Sequence, residues 1–311
     1  MKKKDYILIA VLYGSLLAGI FFPGPSSAVA DIIKYLMMTM LFLAFIKIYP
    51  ADVGRALMSN WTGIIWGTLL RLVIAPAAAY WITLALYPPL ALPVLLLAGA
   101  STGVSSPFFT SLCGGNISYS LVMTVTTSLM LPISLPVMVK VLAHATLNYD
   151  LADMVLFLAM IIFVPLAAAF ALQALVPGLL KPVNRMSYPI SLVVVAGINF
   201  GALGRYIPYL QTNPEQIFYC VVCSLGLALM LALMGWGSTR TRNRADRVAA
   251  SGSQVWINNI LIIALAIHIN QPLAATLSAF YLIPLYGFVI FFSVLGNRAE
   301  TASVVAINEQ C

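Results

Sequence analysis

Charge is what this chain has least of. Of its 311 residues, 8% are Asp, Glu, Lys or Arg, where a soluble globular chain carries about 25%. Nine acids and 16 bases cannot cover a water-facing surface, so a soluble enzyme and a disordered chain are both excluded. Four cysteines in so long a chain are no disulfide framework; Cys220 and Cys223 form a C-x-x-C, but inside an apolar run, where helix packing explains them. Two histidines leave little for a zinc or proton-relay site. There is no H-E-x-x-H and no His beside a serine cluster, so an intramembrane hydrolase lacks its parts. No cofactor is expected, and no nucleic acid: the net charge of +7 reads as Lys and Arg held on one side of a membrane.

What the chain has is hydrophobicity, at 62% of residues. The lipid bilayer is its expected solvent, and spans there must be helices of about 20 residues. The sequence reads as ten, over 6–22, 31–48, 61–86, 90–112, 117–144, 151–176, 188–204, 215–236, 248–269 and 273–296. Turn residues separate them: Phe22-Pro23-Gly24-Pro25, Tyr87-Pro88-Pro89, Gly114-Gly115-Asn116 and Asn270-Gln271-Pro272. With both termini in the cytoplasm, the inner ends hold 12 of the 16 bases: Lys2 to Lys4, Lys47, Arg55, Lys181, Arg185, the four arginines of Arg240–Arg247, and Arg298. That bias predicts a multi-pass protein, in a bacterial inner membrane. Residues 1–30 also read as a signal peptide with Ala28-Val29-Ala30 at its cleavage site; a retained first helix is the reading adopted. The five tryptophans, Trp256 among them, are read as mostly near span ends in an aromatic belt, and the methionines as packing.

Ten spans divide as five plus five, 1–147 and 148–311, and five is odd, so the halves would be inverted relative to one another. The fourth span is interrupted by Gly99-Ala100-Ser101-Thr102-Gly103-Val104-Ser105-Ser106-Pro107, and its counterpart, the ninth, by Ser251-Gly252-Ser253-Gln254-Val255-Trp256-Ile257-Asn258-Asn259. Gly103, Pro107 and Gly252 are the expected helix breakers. Non-helical backbone at membrane depth survives only where it lines a cavity or is buried in protein. Matched breaks therefore point to a substrate site near the midplane; close packing of small residues is the plainer alternative.

These residues also resemble a family. Met40-Leu41-Phe42-Leu43-Ala44-Phe45, Pro50-Ala51-Asp52 and Arg71-Leu72-Val73-Ile74-Ala75-Pro76 resemble the second and third spans of the bile acid:sodium symporters. Gly103-Val104-Ser105-Ser106-Pro107, Thr110, Gly115-Asn116, Ser120 and Thr124 resemble its fourth and fifth, and Asn258 through Ala266 its ninth. The resemblance implies an all-α membrane fold of ten helices, with a core of spans 3–5 and 8–10 and a panel of spans 1, 2, 6 and 7. It implies a small organic anion as substrate and sodium as coupling ion. Ser106, Ser120 and Thr124 match one sodium site of the family, but Pro107 stands at its Asn and Ser253 at its Glu. In the second sodium site Arg71 stands at one Gln and Ile257 at the other, and a slip in register would bring in Gln254 or Asn258. Ser105 and Asn259 complete the candidate set. No metal site beyond the degenerate trio is expected.

The departures matter physically. All nine acids, from Asp5 to Glu309, fall in loops, termini or span ends, so the usual intramembrane carboxylate is missing. Arg71 falls near the middle of the third run, where an arginine costs about 3 kcal/mol on insertion scales. The expectation is that its guanidinium takes the place of a sodium ion, either steadying freed carbonyls or pairing with the substrate's carboxylate; a purely structural arginine is the alternative. Function is therefore expected as secondary transport of an organic anion by alternating access, not coupled to sodium in the family's usual way. The rivals are a sodium-coupled transporter with altered ligands and an uncoupled pore or sensor on the same fold. An arsenite-exporter-like role would draw on Cys113. His144 and His268, near outer span ends, are possible proton gates.

Overall fold

Backbone groups in hydrocarbon have no water to bond, and a helix satisfies them within one segment. The computed structural model, which describes residues 3–59, 61–143, 150–239 and 243–292, is accordingly helical and, among the described residues, holds no β-strand. The first stretch comprises α1 (Lys3–Phe21), α2 (Pro23–Ala30), α3 (Ile33–Phe45) and α4 (Pro50–Ser59). Next come α5 (Trp61–Leu69), a π-helical turn (Leu70–Ile74) and α6 (Ala75–Leu86), which run on as one span. Two half-helices follow, α7 (Ala91–Ala98) and α8 (Ser106–Leu112), and then the long α9 (Ile117–Ala143). The second part holds α10 (Leu151–Leu175), α11 (Leu180–Gly201), α12 (Ile207–Thr212) and α13 (Glu215–Ser238). It closes with half-helices α14 (Arg244–Val255) and α15 (Asn259–His268), and with α16 (Pro272–Phe280), whose span continues to Phe292.

Five helices among the described residues are long and apolar enough to cross a membrane: 61–86, 117–143, 151–175, 215–238 and 272–292. A sixth is formed if α2 and α3, bent by 62° at their junction, count as one. Of the further runs read from the sequence, three differ for a physical reason. The fourth and ninth are each split into pieces too short to cross alone, and α11 begins at Leu180, well before residue 188, taking Lys181 and Arg185 into the helix. Lys2, Arg240, Arg242, His144 and the segment from 293, with Arg298, Glu300 and Glu309, lie outside the described residues. The turn residues behave as read: Gly114 and Asn270 both take positive φ, at 67° and 51°, between α8 and α9 and between α15 and α16.

Two groups of helices pack differently. In the first, α11 lies on α1, α2 and α3, and α3 lies on α10. Glycines set the spacing. A methyl group at Gly19 would overlap the Phe200 carbonyl, one at Gly204 would overlap Ser26, and one at Gly201 would sit 3.1 Å from the Ala30 amide nitrogen. Small residues that admit close backbone approach are the usual membrane packing device. Gln173 of α10 donates to the carbonyl oxygens of Phe45, Ile46 and Ile48, capping α3.

In the second group α6 packs on α7 as α13 packs on α14, and α8 on α9 as α15 on α16. The groups meet where α9 packs on α10 and where α15 touches α3 and α10; at the α15–α10 contact the partners are polar and aromatic. There His268 Nε2 lies 3.1 Å from Asp153 Oδ2 and stacks on Phe157 with ring centroids 3.9 Å apart.

Candidate functional site

Proline cannot donate, so Pro76 removes the helical partner of the Leu72 carbonyl. The helix absorbs the defect with a π turn in which the Ala75 amide donates to the Leu70 carbonyl. Such turns add a residue to the helical circuit and re-aim what they carry. This one carries Arg71, 0% exposed and, among the described residues, the buried charged side chain of the molecule.

Arg71 points at the meeting of the two broken helices. The first break runs over 99–105 and the second over 256–258. They touch as an antiparallel bridge between Thr102 and Ile257. The Gly103 amide donates to the Trp256 carbonyl at 2.7 Å, and the Asn258 amide to the Ser101 carbonyl at 2.8 Å. Close approach here needs glycine: a methyl at Gly103 would lie 2.9 Å from the carbonyl oxygens of both Trp256 and Ile257.

The last four carbonyls of a helix lack an internal partner. Those at the end of α14 are all met, each by a different part of the chain. Ser253 O accepts from Thr102 Oγ1 at 2.8 Å, Gln254 O from Arg71 Nη1 at 3.1 Å, Val255 O from the Tyr281 hydroxyl at 2.9 Å, and Trp256 O from Gly103. At the first break, Arg71 Nε donates to the Ala100 carbonyl at 2.9 Å, and the Thr102 amide donates to Thr127 Oγ1 at 3.0 Å. One guanidinium thus spans both breaks.

The carbonyls at the end of α14 are met, but several side chains are not. Arg71 Nη2, Ser101 Oγ, Ser253 Oγ, Gln254 Oε1, Trp256 Nε1 and Asn258 Nδ2 are buried without a hydrogen-bond partner. All belong to the two breaks, their flanks or the π turn. Buried polar atoms are nearly always paired, so a cluster of exceptions marks a place built for something more than packing. A cleft of about 120 Å³ lined by Thr62, Gly63, Trp66, Tyr119, Ser238 and Thr239 lies at the start of α9, where Tyr119 adjoins Ser120.

The other candidates from the sequence fall as follows. Ser106, Ser120 and Thr124 are together, but they bond to one another and to backbone: Ser106 Oγ lies 2.8 Å from Ser120 Oγ, and Thr124 Oγ1 donates to Ser120 O at 2.9 Å and Gly103 O at 3.3 Å. Ser105 is exposed just ahead of α8. Gln254 Nε2 donates to the Gly67 carbonyl at 3.2 Å. Asn259 Nδ2 donates to Ser278 O at 3.1 Å, which ties α15 to α16. Cys113 is at the far end of α8, its thiol 3.6 Å from the Val289 carbonyl.

Two expectations about the breaks need correction. Gly252 does not break a helix: α14 continues through it to Val255, and its missing side chain makes room for the Trp256 ring, which a methyl there would overlap. Pro107 sits in the first turn of α8 rather than inside a helix, where the lost amide hydrogen costs nothing. Trp256, read from sequence as part of a belt, is fully buried at the crossing against Phe109 and Phe292. Thr102, Thr127 and Tyr281 were missed altogether. Thr102 stands inside the quoted break and Thr127 in the polar stretch Thr126-Thr127-Ser128 just after Thr124, whereas Tyr281, a lone polar residue in an apolar run, gives no signal.

The model of the Sodium Bile acid symporter family matches residues 34–210, more than half of the chain. The chain belongs to that family. The match takes in the π turn, Arg71, the first break and the whole of α9; the second break lies beyond it. No curated protein matches the chain. As a family member it is an integral, multi-pass membrane transporter rather than an enzyme.

The family name implies sodium, an ion that takes several oxygen ligands. The residues at the Arg71 position do not fit it, because a guanidinium already holds the carbonyls that an ion would use. At the trio, the Ser106 and Ser120 hydroxyls are turned to one another and that of Thr124 to backbone carbonyls, and among the described residues no acid is buried.

Proposed function

We propose that this symporter-family chain is a secondary transporter of a small organic anion that works by alternating access, without the family's usual sodium coupling. The reading takes the helix groups of the fold as a panel, spans 1, 2, 6 and 7, moving against a core, spans 3–5 and 8–10. The ten spans form two inverted repeats, 1–147 and 148–311, with both termini in the cytoplasm of a bacterial inner membrane. The matched packing of α6 on α7 with α13 on α14, and of α8 on α9 with α15 on α16, supports the repeat. The Lys and Arg bias supports the orientation.

The crossing at Thr102 and Ile257 is the observation that carries the reading. It sets the amide end of α15 at the break, beside the unpartnered Asn258 Nδ2. Helix amide ends attract negative charge. In the proposed cycle the anion binds there, with Ser101, Ser253 and Asn258 as hydrogen-bond donors, while the α15–α10 contact at His268 and Asp153 opens and closes. The test is uptake into proteoliposomes of a labelled panel of small carboxylates and sulfonates, under imposed sodium, proton and voltage gradients. At least one should accumulate, and Asn258→Ala should slow it about tenfold, the cost of one hydrogen bond to a charged group. Absence of saturable uptake for every anion, with the protein folded, would refute the proposal.

A further inference from the structure

The last carbonyls of a helix hold the negative end of its dipole, and in hydrocarbon no water can meet them. The crossing brings two such ends together, that of α7 at Ala100 and that of α14 at Gln254. Half-helix ends and unwound carbonyls of this kind are what hold monovalent cations in broken-helix transporters. Here the carbonyls converge on one planar fork, with Nε on Ala100 O and Nη1 on Gln254 O. The guanidinium keeps its charge in proteins. It is 0% exposed, and among the described residues no acid is buried with it, so its negative partners are carbonyl dipoles from the two breaks. An arginine needed only to stay soluble in the membrane would snorkel to an interface or bond within its own helix. This one is carried by a third element, is aimed by a π turn, and joins the halves of the molecule.

We infer that Arg71 is a tethered cation that fills the ion position of the crossing. Removing its side chain vacates a site that takes a monovalent cation from solution, guanidinium-type ions before sodium. The inference deepens the transport reading and rests on it for its consequence, which is that the wild-type carrier needs no added cation to assemble its anion site. The site itself is a property of the fold.

The test uses the full-length Arg71→Ala variant in detergent, heated in increasing methylguanidinium chloride, sodium chloride or choline chloride at constant ionic strength. The unfolding midpoint of the variant rises saturably with methylguanidinium, less with sodium, and not with choline, because an ion that binds only the folded state stabilises it. The wild type is flat in all three. No saturable rise in the variant beyond that of the wild type overturns the inference. Should Arg71→Ala fail to accumulate, Arg71→Lys is set against Arg71→Gln. Both keep a hydrogen-bond donor and only lysine keeps the charge, so the folded yield must survive in the first and fall in the second; equal yields overturn the inference. These readouts concern cation binding alone. A saturable cation effect in a protein that moves no anion would sink the transport reading and leave the tethered cation standing.

Discussion

The two helix breaks meet as partners, yet they are built differently. The first spans seven residues, 99–105, and is rich in small residues; the second spans three, 256–258, and is built around a buried tryptophan. The first approaches backbone to backbone: Gly103 sits directly against two carbonyl oxygens. The second stands on a side chain, since the place of a side chain at Gly252 is taken by the Trp256 ring. A contact between backbones cannot relax without parting the helices, whereas a ring can turn or be trimmed. The two breaks should therefore answer very differently to the same insult.

The largest effect is expected at Gly103. Gly103→Val drives carbon into two carbonyls that no rotamer can avoid, and should cost more than about 3 kcal/mol, enough to abolish monodisperse protein. Size-exclusion profiles of a fluorescent fusion would show it. Gly252→Ala should also destabilise, by about 1–3 kcal/mol, but Trp256→Phe in the same chain should restore much of the loss. A double-mutant cycle on thermal midpoints that shows no coupling, where contacting residues give about 0.5–3 kcal/mol, would break the contrast. Smaller again are the caps. Thr102→Val leaves the Ser253 carbonyl unmet and should cost about 1–3 kcal/mol, whereas Tyr281→Phe removes one of two donors to the Val255 carbonyl, which the Ile257 amide still meets, and should cost about 1 kcal/mol, additively because they serve different carbonyls. Smallest is Ser120→Ala, which removes one hydroxyl of the Ser106–Ser120 pair. It should shift the midpoint by about 1 kcal/mol and leave the response of uptake to sodium unchanged; a sodium dependence gained or lost there would reopen the trio as an ion site.

The contrast also explains what was legible in the sequence. The third apolar run, 61–86, has the bounds of the continuous span α5–α6, because its ends are marked by local chemistry, with Tyr87-Pro88-Pro89 at one of them. The first break was legible for the same reason: seven residues rich in Gly, Ser and Thr cannot read as apolar helix. The second was found but misplaced at Gly252, since glycine is a local signal and what ends α14 is not. Its last carbonyls are met by Thr102, Arg71, Tyr281 and Gly103, all distant in sequence. The π turn was invisible for a similar reason, although Pro76 marked its neighbourhood. Arg71 stands out by charge alone; what the sequence does not show is that two of its nitrogens donate to carbonyls, one from each break. Ten apolar runs stand against five or six long helices among the described residues because apolar runs do not report how a broken segment is divided.

The most direct test of a built-in cation is made on the unaltered protein. Proteoliposomes with the chain in one orientation would be loaded and bathed in choline salts, and the initial uptake rate of its best carboxylate compared with that in sodium salts at equal ionic strength and clamped voltage. Equal rates are predicted, because the charge that the crossing needs is already bonded to Ala100 and Gln254. Uptake that vanishes in choline and returns saturably with sodium would contradict the account.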